Sequence, residues 1–144
     1  MDVMGFDDLP DDWDDRPLTD PRLVADVLDL LVPDKDRRAG ALVLLVCDRD
    51  ARLVQPVAVT DVDEVASEEE RQRAVEVIIG MMDGPGSLHI ALARRDGLSL
   101  TEADRSWRRA AQRACGAGVR LLGVHVVTVA GSREVPAEPL ADAS

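Results

Sequence analysis

The sequence predicts an α/β (α+β) fold, a mixed β-sheet with helices packed on its faces. Three observations lead there. Helix-capping signals recur at three places along the chain, and apolar runs of strand length lie between them. Their order (helix, hairpin, helix, strand, helix, strand) contains two successive strand-helix-strand units, which bury a sheet against helices. The chain of 144 residues is 46% apolar but has one Phe, two Trp and no Tyr, so Val, Leu, Ile and Ala must build the core. One domain of this size buries roughly 70% of its unfolded surface.

The first helix opens with Asp20 as N-cap and Pro21 at the first helical position. Leu23, Val24, Val27, Leu28, Leu30 and Leu31 recur at helical spacing, and Pro33 stops the run. ALVLLVC (41–47) is continuously apolar, as a strand covered on both faces requires. Asp48-Arg49-Asp50-Ala51 turns the chain, and 52–60 returns as a second strand. Pro56 cannot donate to a ladder, which places that strand at an edge or a bulge. Ser67-Glu68-Glu69-Glu70 is a capping-box sequence for a second helix through Arg71, Ala74, Val75, Ile78, Ile79 and Met82. Asp83-Gly84-Pro85-Gly86 is its stop signal. In a third strand, 88–94, Leu88, Ile90 and Leu92 alternate with His89, Ala91 and Ala93. Thr101 caps a third helix whose expected buried face is Ala103, Trp107, Ala110, Ala111 and Ala114, ending at Gly116 and Gly118. The fourth strand is 119–128. The domain plan is an acidic, disordered tail (1–17), one α/β domain (18–130) and a C-terminal tail (131–144).

Charge and composition exclude several functions. The net charge of −11 opposes general nucleic-acid binding, because that affinity rests on cations neutralising phosphates. No apolar run reaches the length of a membrane span. The N-terminus lacks a basic region followed by an apolar stretch, so the expected location is the cytoplasm. Cys47 and Cys115 lie far apart in apolar segments and read as buried free thiols. Residues 1–20 hold eight Asp against the single Arg16, whereas 101–120 hold five Arg against Glu102 and Asp104. Arg105, Arg108, Arg109 and Gln112 follow three- and four-residue spacing after Arg94 and Arg95. They read as a solvated face or as an anion or partner surface.

Five segments together resemble the RadC-type branch of the JAB/MPN (JAMM) metalloprotease-like domains: ALVLLVCDRDARLV (41–54), RQRAVEVIIG (71–80), SLHIALARRDG (87–97), TEAD (101–104) and GVRLLGVHVV (118–127). In that family a strand ends in H-x-H-P-x-G, and S-x-x-D opens the next helix. Two His and the Asp hold zinc, and a Glu from an earlier element activates the bound water. A catalytic zinc needs three protein ligands and an open position. On that pattern, Ala91 and Ala93 stand where the imidazoles belong, Arg94 replaces the Pro and Thr101 the Ser. Asp104 alone remains of the ligands. No acid lies between Arg37 and Cys47 to serve as the activating Glu. The resemblance therefore implies a degenerate metal site at Ala91, Ala93, Thr101 and Asp104, with no cofactor and no metal. It implies a pseudoenzyme acting as a protein-binding or scaffold module.

The residues also have simpler readings. Asp104 is a favourable first-turn acid, Thr101 an ordinary N-cap, and His89 and His125 are buried imidazoles satisfied by backbone carbonyls. A rival reading keeps an enzyme: a hydrolase of unknown type using His89, Asp104 and the Arg-rich loop. A Cys47/His89 nucleophile pair lacks an orienting third group. The expected partner is another protein rather than nucleic acid or membrane. The acidic tail is a further candidate for electrostatic attraction of a basic partner.

Overall fold

The structure is a computed structural model and describes residues 15–60, 67–82, 86–95, 97–116 and 118–136. The elements run α1 (Pro21–Leu31), α2 (Asp34–Ala39), β1 (Ala41–Cys47), β2 (Leu53–Thr60), α3 (Glu68–Gly80), β3 (Gly86–Ala93), α4 (Glu102–Cys115), β4 (Val119–Thr128) and β5 (Gly131–Glu134). The strands form one mixed sheet in the order β2-β1-β3-β4-β5. β1 pairs antiparallel with both β2 and β3, β3 runs parallel to β4, and β5 returns antiparallel on β4. The mixed sheet with helices on its faces is the fold class read from the sequence.

Alternation along the strands gives the sheet two different faces. Leu42, Leu44, Leu88, Ile90, Leu92, Val124 and Val126 point to one side, where α3 supplies Val75 and Ile78 and α4 supplies Trp107, Ala111 and Cys115. Val43, Leu45, Cys47, Ala91, Ala93 and Val127 point to the other, where α1 supplies Leu23, Val24, Val27 and Leu28. β1 is interior and its side chains are almost all buried, as its unbroken apolar run requires. β2 lies at the edge, with Pro56 opposite Leu45.

The caps form as their residue types dictate. Asp20 accepts from the Arg22 amide ahead of Pro21. Ser67 and Glu70 exchange hydrogen bonds of 2.8 and 3.1 Å at the start of α3. Thr101 and Asp104 do the same at 2.8 and 3.3 Å at the start of α4.

Five details depart from expectation. Residues 34–39 form α2, a six-residue helix between Pro33 and Gly40 with acids in its first turn and arginines in its last. Residues 131–134, placed by the sequence reading in the tail, form β5, and Val135 beyond them is fully buried. At the other end, Pro17 makes a bridge to Arg52. On α4, Trp107, Ala110 and Ala111 are buried as expected, but Ala103 is exposed, and Asp104 and Arg108 are buried as well. Ala74 of α3 is exposed as well. The tail before residue 15, the Asp83-Gly84-Pro85 stop and the chain after residue 136 lie outside the described residues.

Candidate functional site

The residues that the resemblance set at ligand positions do not form a ligand set. Ala91 and Ala93 are buried on the α1 face, their methyl groups part of its apolar cluster. Asp104 starts α4, the helix on the opposite face, and both its oxygens are engaged. Oδ1 takes Nη1 of Arg94 at 2.5 Å, and Oδ2 accepts from the Thr101 amide at 2.8 Å. Arg94 also donates through Nη2 to the carbonyls of Ser99 and Gly97, so Arg94, Thr101 and Asp104 together lock the loop between β3 and α4. Among the described residues, no group of three His, Cys, Asp or Glu side chains is arranged to hold a metal ion.

The expected arginine face is divided. Arg95 and Arg105 are exposed, and Arg94 is committed to the loop. Arg109 is half-buried between Glu68 and Glu102, at 3.0 and 2.7 Å, and Arg113 also binds Glu68. Burial would raise the Glu68 carboxyl, but hydrogen bonds from Arg109, Arg113 and Ser106 outweigh that and hold it below its ordinary value. Arg108, expected on the exposed face, is buried, and among the described residues its Nε and Nη1 have no hydrogen-bond partner. It follows Trp107 in the chain, and both side chains are buried. Arg71 of α3 lies over the Trp107 indole, 5.5 Å from the ring centroid.

The two histidines form the most distinctive polar feature of the interior. His89 on β3 and His125 on β4 are both buried, and His89 Nδ1 lies 3.0 Å from His125 Nε2. His89 Nε2 lies 2.7 Å from the Leu18 carbonyl. A carbonyl only accepts, so His89 Nε2 carries the hydrogen and donates to Leu18. Nδ1 of that neutral ring is then an acceptor, and His125 Nε2 must donate to it. The result is a directed chain from His125 through His89 to the backbone of Leu18. His125 Nδ1 has no partner among the described residues. Beside the pair is a cavity of about 120 Å³ lined by Leu18, Thr19, Pro21, Val24, Leu122 and Glu134.

Two local features bring the rings together. In the β3–β4 register Leu88 faces Leu121 and His89 faces Gly123, so Leu122 is an extra residue, a β-bulge. The bulge reverses the alternation of β4 and sends His125 to the α1 face. Gly123 leaves the space: a Cβ there would stand 2.9 Å from His125 Nε2 and 3.3 Å from His89 Nδ1. Burial pushes both imidazoles below the ordinary histidine value. His125 falls to about 3, with further depression from His89 and the Arg108 charge. In His89 the bond to Leu18 opposes the shift in part. Both rings are therefore neutral near pH 7.

The sequence reading paired each histidine with a backbone carbonyl; His89 has one, and His125 has His89 instead. The β3-α4-β4 unit, which makes the strands neighbours, was the available signal for their proximity. Cys47 donates to the Leu45 carbonyl, and burial raises its thiol to about 12 and that of Cys115 to about 11. Neither has the thiolate character of a nucleophile near pH 7. Compared with family profiles and with curated proteins, the chain matches none.

Proposed function

We propose that this chain is a non-catalytic, RadC-type JAB/MPN-like domain that serves as a protein-binding or scaffold module in the cytoplasm. The observation that carries the reading is the chemistry at the positions the resemblance assigns: two buried methyl groups at Ala91 and Ala93 on the α1 face and, on the other face, an Asp104 carboxylate already closed by Arg94 and Thr101, so the three do not converge on one site. An open catalytic zinc site requires three free donors. The location draws support from the absence, among the described residues, of any helix long and apolar enough to cross a membrane. Arg95 and Arg105 are exposed beside α4 and are the cations offered to an acidic partner surface. The hydrolase alternative needs His89 and Asp104 in one site. It is disfavoured because His89 faces α1, Asp104 belongs to a helix on the other face, and both are bound.

Two measurements test the proposal. Metal analysis of the purified chain is expected to find no stoichiometric zinc; one retained zinc per chain, with hydrolysis lost in Asp104→Asn, returns the hydrolase reading. Affinity purification from the native cell is expected to recover a stoichiometric protein partner whose binding weakens in the double variant Arg95→Glu/Arg105→Glu. Binding unchanged in that variant removes the arginine surface from the proposal.

A further inference from the structure

Residues 15–20 form a strap that closes over the histidine pair. Several contacts hold it to the rest of the fold. The Leu18 amide donates to Ala51 at 2.8 Å, Arg52 Nε donates to the Asp15 carbonyl at 2.9 Å, and Pro17 bridges to Arg52. The Leu18 side chain is fully buried in the α1-face cluster, and its carbonyl takes the hydrogen of His89. All but the last of these contacts join the strap to the turn between β1 and β2 or to the core, and the last joins it to the histidine pair.

We propose that the strap is a proton-sensitive latch: it stays closed while His89 and His125 are neutral, and its release is coupled to proton uptake by the pair. In the closed state the hydrogen-bond chain has no place for two added protons. His89 Nδ1 and His125 Nε2 face each other at 3.0 Å, and two N–H groups cannot point into that gap. A single proton would have to be carried as a buried imidazolium. Few surrounding groups favour it. The Leu18 carbonyl and Glu134 on β5, which lines the cavity, favour a positive charge, while Arg108 on α4 repels one. The residues facing His89 are Leu45 on β1 and Gly123 on β4, neither of which titrates. Pro21 and Val24 of α1 and Thr19 of the strap supply no charge. Arg16, Asp20, Arg22 and Asp26 line an adjoining cleft of about 310 Å³ instead.

Lifting Leu18 frees Nε2 of His89 and admits water, and the imidazoles regain an ordinary value near 6.5. The open state then binds protons that the closed state refuses, so falling pH favours opening. Between pH 7.5 and 5.5 the opening constant should rise about 10-fold if one ring is protonated on opening, and about 100-fold if both are. The latch does not depend on the binding-module reading.

Amide hydrogen exchange of the full chain at pH 7.5 and 5.5, corrected for intrinsic rates, tests the latch. The Leu18 amide is expected to exchange faster than that of Leu44 in the sheet interior at both pH values, and to lose 10- to 100-fold of its protection at pH 5.5. In His89→Gln/His125→Gln, whose amides cannot take the proton, that loss should disappear. Because this double variant removes a core contact, Leu18→Ala supplies an independent reading. It loosens the strap, and by linkage the histidine NMR titration midpoints should move up toward 6.5 in the folded protein. The latch is refuted if Leu18 and Leu44 exchange at one common rate, if Leu18 protection is the same at both pH values, or if the midpoints of folded Leu18→Ala match the wild type.

Discussion

The two faces of the sheet satisfy their polar groups in different ways. On the α3/α4 face, charged side chains meet one another: Glu68 meets Arg109 and Arg113 where water reaches them, and the buried Asp104 meets Arg94. On the α1 face, polar side chains lie inside and use backbone carbonyls. Arg37 is almost wholly buried and donates to the carbonyls of Val32, Thr128 and Asp29, with Asp29 Oδ1 as its ionic partner. His89 likewise ends its chain on the Leu18 carbonyl. Ion pairs open to water are each worth about 0–1 kcal/mol and are individually replaceable. A buried donor serving several carbonyls is not, since removing it leaves acceptors stranded. The α1 face should therefore be the one that fails on single substitutions and on acidification.

The largest effect is expected from Arg37→Ala, which strands three carbonyls between α1, α2 and β4; urea denaturation should show a loss of about 3–5 kcal/mol. Acidification comes next. Both histidines are depressed in the fold, so their neutral forms contribute full stability above the unfolded value near 6.5 and progressively lose it below. Denaturation at pH 7.5 and 5.5 should differ by about 1–3 kcal/mol, with the lower pH less stable. Gly123→Ala drives a methyl group against His125 Nε2 and should cost about 1–2 kcal/mol by thermal melting. Glu68→Gln should cost least, about 0–1 kcal/mol, because its partners remain partly in water. The Glu68 carboxyl is held low, so its contribution is intact above the ordinary carboxylate value of 4.5 and fades only as pH falls below it. An acid titration should therefore lose the α1 face before the α3/α4 face. Equal losses from Arg37→Ala and Glu68→Gln would erase the contrast.

Local chemistry was the legible part of the sequence. Asp20-Pro21, Ser67 with Glu70, and Thr101 with Asp104 each cap a helix through groups two or three residues apart. The unbroken run of β1 and the proline of β2 likewise report interior and edge directly. Less legible were features set by a single distant contact. On α4 the apolar spacing reported Trp107, Ala110 and Ala111, but not that Asp104 and Arg108 are buried beside them while Ala103 is exposed. β5 is four residues long and α2 six, too short for periodicity to register. Of the residues at 91, 93, 101 and 104, the alanines and the Thr101 cap could be named from sequence, but not the grip of Arg94 on Asp104 across ten residues. The histidine pair was hidden for a sharper reason: simple alternation from Leu121 sends His125 toward α4, and only the extra residue at Leu122 reverses it.

The neutral, directed histidine chain is the core of this account, and long-range ¹H–¹⁵N NMR of the two imidazoles tests it most directly. At pH 7.5 both rings should be neutral Nε2–H tautomers, with the His89 Nε2 proton slow to exchange because the Leu18 carbonyl holds it. On lowering the pH neither should titrate near 6.5 while the fold persists, and His125 should remain neutral down toward about 3. A charged ring at pH 7.5, an Nδ1–H tautomer at His89, or an ordinary midpoint near 6.5 in the folded protein would contradict it.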